Sequence, residues 1–130
     1  MFRRVNGSWQ EQAKLAASDG DSDDNFGSSI SISGDGNTVV IGVDFGRDVD
    51  AAEVGSVYVF TQAGGNWQEQ AKLAASDGDN GDRFGSSVGV SSDGTTAIIG
   101  ADFDEDPNGR AAGSTYAFTR VSGGWQEQAK

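Results

Sequence analysis

The segment WQEQAKLAASDGD opens at Trp9 and opens again at Trp67, and its first six residues, WQEQAK, return at Trp125. The step is 58 residues each time. Other landmarks keep it: Phe26-Gly27-Ser28-Ser29 returns as Phe84-Gly85-Ser86-Ser87, Ile41-Gly42 as Ile99-Gly100, and Tyr58 with Phe60 as Tyr116 with Phe118. Without gaps, 33 of 58 positions are identical between residues 9–66 and 67–124. Phe2 stands one step before Phe60, so the first residues belong to the same register. A tandem unit of this size restricts the chain to a propeller, a solenoid or a similar array.

Within each unit the hydrophobic pattern is that of strands, and no stretch sustains a helical period. Ile30 and Ile32 alternate with serines over 26–33. Asp35-Gly36-Asn37 then signals a hairpin turn. TVVIGV over 38–43 is a continuous apolar run, expected of a strand buried on both faces. In GSVYVFTQ over 55–62, Val57 and Val59 face one way and Tyr58 and Phe60 the other, again apolar on both sides. WQEQAKLA over 67–74 is half polar: simple alternation puts Trp67, Glu69, Ala71 and Leu73 on one face and Gln68, Gln70 and Lys72 on the other. That suits an outer edge strand, where Lys discourages edge-to-edge pairing. Four antiparallel strands with two buried middle members make one β-propeller blade. The expected organisation is an extra outer strand in 1–15, a first blade in 16–74 and a second in 75–130. A β-sandwich or an open β-repeat stack is the alternative.

Composition narrows the function. The net charge is −11, with 15 Asp, 5 Glu and only three Lys. Like charge argues against nucleic-acid and anionic-membrane partners. It allows cationic partners, divalent ions or a high-salt setting. The chain has no Cys and no His, which removes thiol chemistry and the commonest general base. No run of 18 apolar residues is present to span a membrane as a helix, and the opening MFRRVNGSW has no apolar core of a secretory signal.

The ordered set FGSS, VVIGVD and GSVYVFT, present twice in variant form, resembles the FG-GAP repeats of integrin-α-like β-propellers, in their short bacterial and archaeal variant. Gly42-Val43-Asp44 and Gly100-Ala101-Asp102 stand where that family has Gly-Ala-Pro; neither copy keeps the Pro. The resemblance implies a propeller used for recognition or adhesion at the cell surface or outside the cell, with protein or carbohydrate ligands, and not a catalyst. It also implies a calcium loop between the first two strands of a blade. Here that loop has shrunk to Ser33-Gly34-Asp35-Gly36-Asn37 and Ser92-Asp93-Gly94, too few carboxylates for a shell of six to eight oxygens.

A second acidic loop precedes each FG. Asp19, Asp21 and Asp23 have the alternate spacing that lets carboxylates converge on a hard cation. The second copy keeps Asp77 and Asp79, and Asp82 aligns with Asp24. These seven residues are the candidate calcium ligands, weighed against solvated turns on an acidic surface. The stretches 44–53 and 102–110 diverge most and read as variable loops of the kind that carry specificity. Asp104, Glu105 and Asp106 in the second of them read as solvated charge. Trp9, Trp67 and Trp125 read as core packing rather than sugar platforms, and Tyr58, Tyr116, Phe60 and Phe118 as core between blades.

A glycosidase working through paired carboxylates is disfavoured, because the acidic residues recur in repeated turns and no single pair stands apart. Near-identical copies also suit a recently duplicated or engineered fragment with no task of its own. Two blades leave two apolar faces open, and propellers commonly need about four to eight blades. The chain is therefore expected to form a homo-oligomer, three copies giving six blades or four giving eight. The surplus strand in 2–15 would then compete with 125–130 for one edge, leaving one of them frayed or swapped into a neighbour.

Overall fold

The computed structural model describes residues 1–21, 24–44, 54–105 and 108–130. Ten strands run in order: β1 (Phe2–Val5), β2 (Ser8–Glu11), β3 (Ser29–Ile32), β4 (Thr38–Val43), β5 (Ser56–Ala63), β6 (Asn66–Leu73), β7 (Phe84–Val90), β8 (Thr96–Ala101), β9 (Ser114–Val121) and β10 (Gly124–Ala129). Among the described residues there is no helix. β3-β4-β5-β6 form one four-stranded sheet and β7-β8-β9-β10 a second, every pairing antiparallel. The protein is all-β, and each sheet is one repeat folded as a propeller blade.

The two blades stack face to face. Val40, Val57, Val59 and Leu73 of the first blade pack against Phe84, Ala97, Ile99, Ala101, Tyr116 and Phe118 of the second. The far face of the first blade carries Val39, Ile41, Val43, Tyr58 and Phe60, covered in part by Met1, Leu15, Ala17, Phe26 and Trp67. Hence every residue of β4 is buried, as its unbroken apolar run required. β8 has the same kind of run but alternates buried and open, because none of the described residues covers its outer face. Ile98, the counterpart of fully buried Val40, is 45% exposed.

Three features depart from the sequence reading. The expected outer strand in 1–15 is a hairpin: Asn6 and Gly7 take positive φ of 49° and 86°, a tight two-residue turn that folds β1 back on β2. This hairpin pairs with neither blade. Trp9 is consequently 70% exposed instead of packed in a core, whereas Trp67 and Trp125 pack against the two clusters. Of the two ends expected to compete for one edge, 125–130 holds β10, laddered along β9, while 12–15 continue past β2 outside any strand.

The faces of the outer strands also differ from simple alternation. In β6 the register shifts between Val59 and Phe60, so that Phe60 opposes Glu69 but Val59 opposes Ala71. This bulge turns Trp67, Glu69 and Lys72 to the face of Tyr58, and Ala71 and Leu73 to the opposite one. β10 repeats it, Phe118 opposing Glu127 and Ala117 opposing Ala129. One extra residue in one strand of a pair re-aims the side chains that follow it.

Candidate functional site

The bulge gives the acidic loops their partners. Glu69 and Lys72, three apart, would point to opposite faces of a regular strand; with the bulge they share one. Ser18 donates to Glu69 from its backbone N–H (2.9 Å) and its hydroxyl (2.9 Å). Tyr58 donates its hydroxyl to Asp19 Oδ1 at 2.6 Å, and Lys72 Nζ donates to Asp19 Oδ2 at 2.7 Å. The second blade repeats the set: Ser76 on Glu127, Tyr116 on Asp77 at 2.8 Å and Lys130 on Asp77 at 2.7 Å. Each acidic loop is thus a clasp that ties the chain entering a blade to that blade's third and outer strands.

The clasps shift the groups that make them. The bonds from Lys72 and Tyr58 hold the Asp19 carboxyl below the ordinary range, and those from Lys130 and Tyr116 do the same for Asp77. Burial, with the Asp19 bond behind it, pushes the Tyr58 hydroxyl up to about 12. Burial pulls Lys72 down, but the bonds to Asp19 and Tyr58 outweigh it and the ammonium titrates higher than usual.

The candidate calcium ligands are therefore placed as follows. Both oxygens of Asp19 accept hydrogen bonds from side chains of its own blade, and both oxygens of Asp77 do likewise. Asp24 Oδ2 accepts from the Asp21 N–H (2.8 Å), and buried Asp82 does the same for Asp79 (2.6 Å), so these close local turns. Asp23 lies outside the described residues. Among the described residues no group of three His, Cys, Asp or Glu side chains comes together to hold a metal ion. The described residues of these loops, as folded, do not make up a calcium shell. In the shrunken loops, Asp35 accepts from Ser33 and the Asn37 N–H, and Asp93 from Ser91 and Thr95, each closing its own turn.

Asp104 departs from solvated charge. It is buried, with Oδ2 2.7 Å from Lys130 Nζ and accepting from the Tyr116 hydroxyl at 3.3 Å. Glu105 is exposed; Asp106 and residues 45–53 lie outside the described residues. Asp104 has no acidic counterpart, since Gly46 stands 58 residues earlier. This is a place where the two repeats differ in chemistry.

The junction between blades is a plug and a socket. Phe84 N–H donates to the Val54 carbonyl (2.9 Å), and Gly55 lies beside Phe84 as a parallel bridge. Ser29 Oγ donates to the Gly85 carbonyl at 2.7 Å. A Cβ on Gly42 or Gly55 would run into the Gly85 or Phe84 backbone, so both positions must be glycine for the blades to meet. Phe84 is fully buried and meets Tyr116 and Phe118 edge-on, with ring centroids 5.3 and 6.0 Å apart. Beside it Arg83 spans the junction, bonding Asp44 at 3.0 Å across the blades and Asp102 at 3.5 Å within its own, with Phe103 5.1 Å below its guanidinium.

The FG dipeptide is thus the element by which one repeat seats in another. A family model of the FG-GAP repeat matches residues 9–60 and again 67–118. The chain belongs to the FG-GAP repeat family. No curated protein matches it. FG-GAP repeats make β-propeller modules, a family whose members are non-enzymatic, and both FG dipeptides here have a structural place.

The sequence reading identified the FG positions but missed the residues that receive them. Gly55, Ser29 and Asp44 carried a signal in their exact 58-residue recurrence. Val54 gave none, because its contribution is a backbone carbonyl.

Proposed function

We propose that this chain is a non-enzymatic binding and structural module, a two-blade propeller fragment that self-assembles into a closed ring for recognition or adhesion at or outside the cell surface. The observation that carries this reading is the unequal burial of the blades. The first has one face packed against the second blade and the other covered in part, the second only one face packed, leaving Ile98, Thr115 and Ala117 where the first blade buries Val40, Val57 and Val59. An apolar sheet face left in water is a surface for a partner, and the partner of matching shape is another FG-GAP blade. Three copies close six blades and four close eight. The rim loops 44–53 and 102–110 then carry contact with a protein or carbohydrate ligand.

The test is molar mass in solution by light scattering, across concentration and at low and high salt. A mass of three or four chains supports the ring. A monomer at all concentrations overturns it. Calcium added at constant ionic strength is expected to leave the mass unchanged, since the acidic loops are engaged as clasps.

A further inference from the structure

The interface between the blades has an empty equivalent on the second blade. A cavity of about 410 Å³ is lined there by Ser86, Ser87, Gly100, Asp102, Gly113 and Thr115, among others. These stand 58 residues after Ser28, Ser29, Gly42, Asp44, Gly55 and Val57. Of that set, Ser29, Gly42 and Gly55 meet the backbone of Phe84 and Gly85, and Asp44 meets Arg83. The socket is repeated, glycines included, and none of the described residues fills it. The free plug is Phe26-Gly27 on the far face of the first blade. There Ile30 is 64% exposed, while its counterpart Val88 is packed between the blades.

Met1, Leu15 and Ala17, which flank the N-terminal hairpin, pack on that far face while strands β1 and β2 stay exposed, and the hairpin is a duplicate. Phe2, Arg4, Val5 and Gly7 match Phe118, Arg120, Val121 and Gly123, and Trp9-Gln10-Glu11 matches Trp125-Gln126-Glu127. The ladders agree pair for pair: Phe2↔Glu11 and Arg4↔Trp9 in one, Phe118↔Glu127 and Arg120↔Trp125 in the other. The turns agree too, with φ of 49° and 86° at Asn6-Gly7 and 50° and 86° at Ser122-Gly123. Leu15 and Ala17 hold against the first blade the positions that Leu73 and Ala75 hold against the second. Hairpin β1–β2 therefore matches the outer half of a blade in sequence and register, and the segment after it reaches the first blade through Leu15 and Ala17.

We propose that the socket on the second blade receives the Phe26-Gly27 edge of a second copy of this chain, and that this docking displaces the second copy's β1–β2 hairpin, whose place is taken by β9–β10 of the first. The occupant is a second copy because the surface continues an interface already built inside the chain, and because the outgoing and incoming hairpins are near-identical in sequence and identical in register. Exchange between such elements costs little and is a common route to oligomers. This proposal rests on the self-assembly reading above and adds its surface and its competitor.

The test is the association constant of the full chain and three variants, measured by light scattering against concentration, with circular dichroism to confirm the β fold. Gly7→Val strains the turn of the placeholder, since Gly7 has φ +86° and no neighbouring atom within 4 Å. It is expected to tighten association about five- to tenfold, the scale of one residue forced into a left-handed conformation. Gly123→Val strains the same turn in the incoming hairpin, but that turn is formed in the free chain as well as in the assembly, so association is expected to stay within about twofold of the parent. Thr115→Arg, at an exposed position in the socket, is expected to abolish association with the fold intact. If Thr115→Arg associates like the parent, the ring forms through another surface and the socket assignment is overturned. If Thr115→Arg blocks association but Gly7→Val does not strengthen it, the displacement is overturned and the docking surface stands. If the parent chain and Gly7→Val are both monomeric throughout, the self-assembly reading falls and this inference with it.

Discussion

Asp19 and Asp77 are the residues at which charge and hydroxyl chemistry meet. Each accepts a tyrosine hydroxyl and a lysine ammonium, and each clasp closes one blade. The lysine pairs are half exposed, so their direct contribution is small, about 0.2–1 kcal/mol. The tyrosines matter more because their rings are buried and their hydroxyls must be satisfied. Tyr116→Phe removes a donor from both Asp77 and Asp104 and is expected to cost about 1–2 kcal/mol in urea unfolding. Tyr58→Phe, with Asp19 alone as partner, is expected to cost less. Stability should follow the two pKa directions. The carboxyls of Asp19 and Asp77 are held below 3.8, so their contribution is complete above that value and is lost as pH falls through the lowered one. Tyr58 is held protonated to about 12, so its contribution is complete below the ordinary value of 10 and is lost as pH rises from 10 towards 12. A flat plateau of thermal midpoint between these limits is expected. A midpoint that changes steadily from pH 5 to 9 would refute it, since no His is present to titrate there.

At the scale of elements, the contrast between paired repeats is informative. Gly42 and Gly100 are the same position in two blades, yet only Gly42 faces the backbone of another blade. Gly42→Ala forces the blades apart and is expected to destabilise by about 3 kcal/mol, as overpacking of a core does. Gly100→Ala meets chiefly the Ser87 hydroxyl, which can rotate away, and is expected to cost the isolated chain under about 1 kcal/mol. Equal losses would mean that Gly42 is not at a close approach. The tryptophans make the same comparison. Trp9→Ala should leave unfolding within about 0.5 kcal/mol of the parent, whereas Trp125→Ala removes packing against the main core and should cost about 2 kcal/mol. The FG dipeptide also behaves differently in the two copies: Phe84 begins β7, while Phe26 lies in a turn and its strand begins only at Ser29. Identical residues extend a strand where a neighbouring blade offers a carbonyl and do not where it is missing.

For the whole molecule, the net charge of −11 sets copies against one another. Added salt screens that repulsion and leaves apolar faces to attract. Association is therefore expected to strengthen between about 0.05 and 1 M sodium chloride, read as an increase in light-scattering mass at fixed concentration. Weakening with salt would mean that ion pairs hold the copies together. Asp102 and Asn25 show where pairing could be added. Their counterparts Asp44 and Arg83 bond across the blades, so Asn25→Arg is expected to tighten the copy-to-copy junction, whereas Gln70→Arg, at an exposed outer-strand position, is not.

The sequence by itself determined the repeat, its 58-residue step, the four-stranded unit and the family. All of these are periodic, and periodicity survives in one dimension. The buried run of β4 and the two-faced apolar pattern of β5 were legible for the same reason. Tertiary structure alone decided what the acidic residues do. Their alternate spacing fits a metal loop as well as a clasp, and only the bulges in β6 and β10, at Glu69-Gln70 and Glu127-Gln128, aim Lys72 and Lys130 at them. No residue type marks those bulges, because a bulge is a matter of register between strands. It was likewise the fold that separated Trp9 from Trp67 and Trp125. All three share one local sequence, and they differ in whether their strand is laddered into a four-stranded blade whose core they can reach.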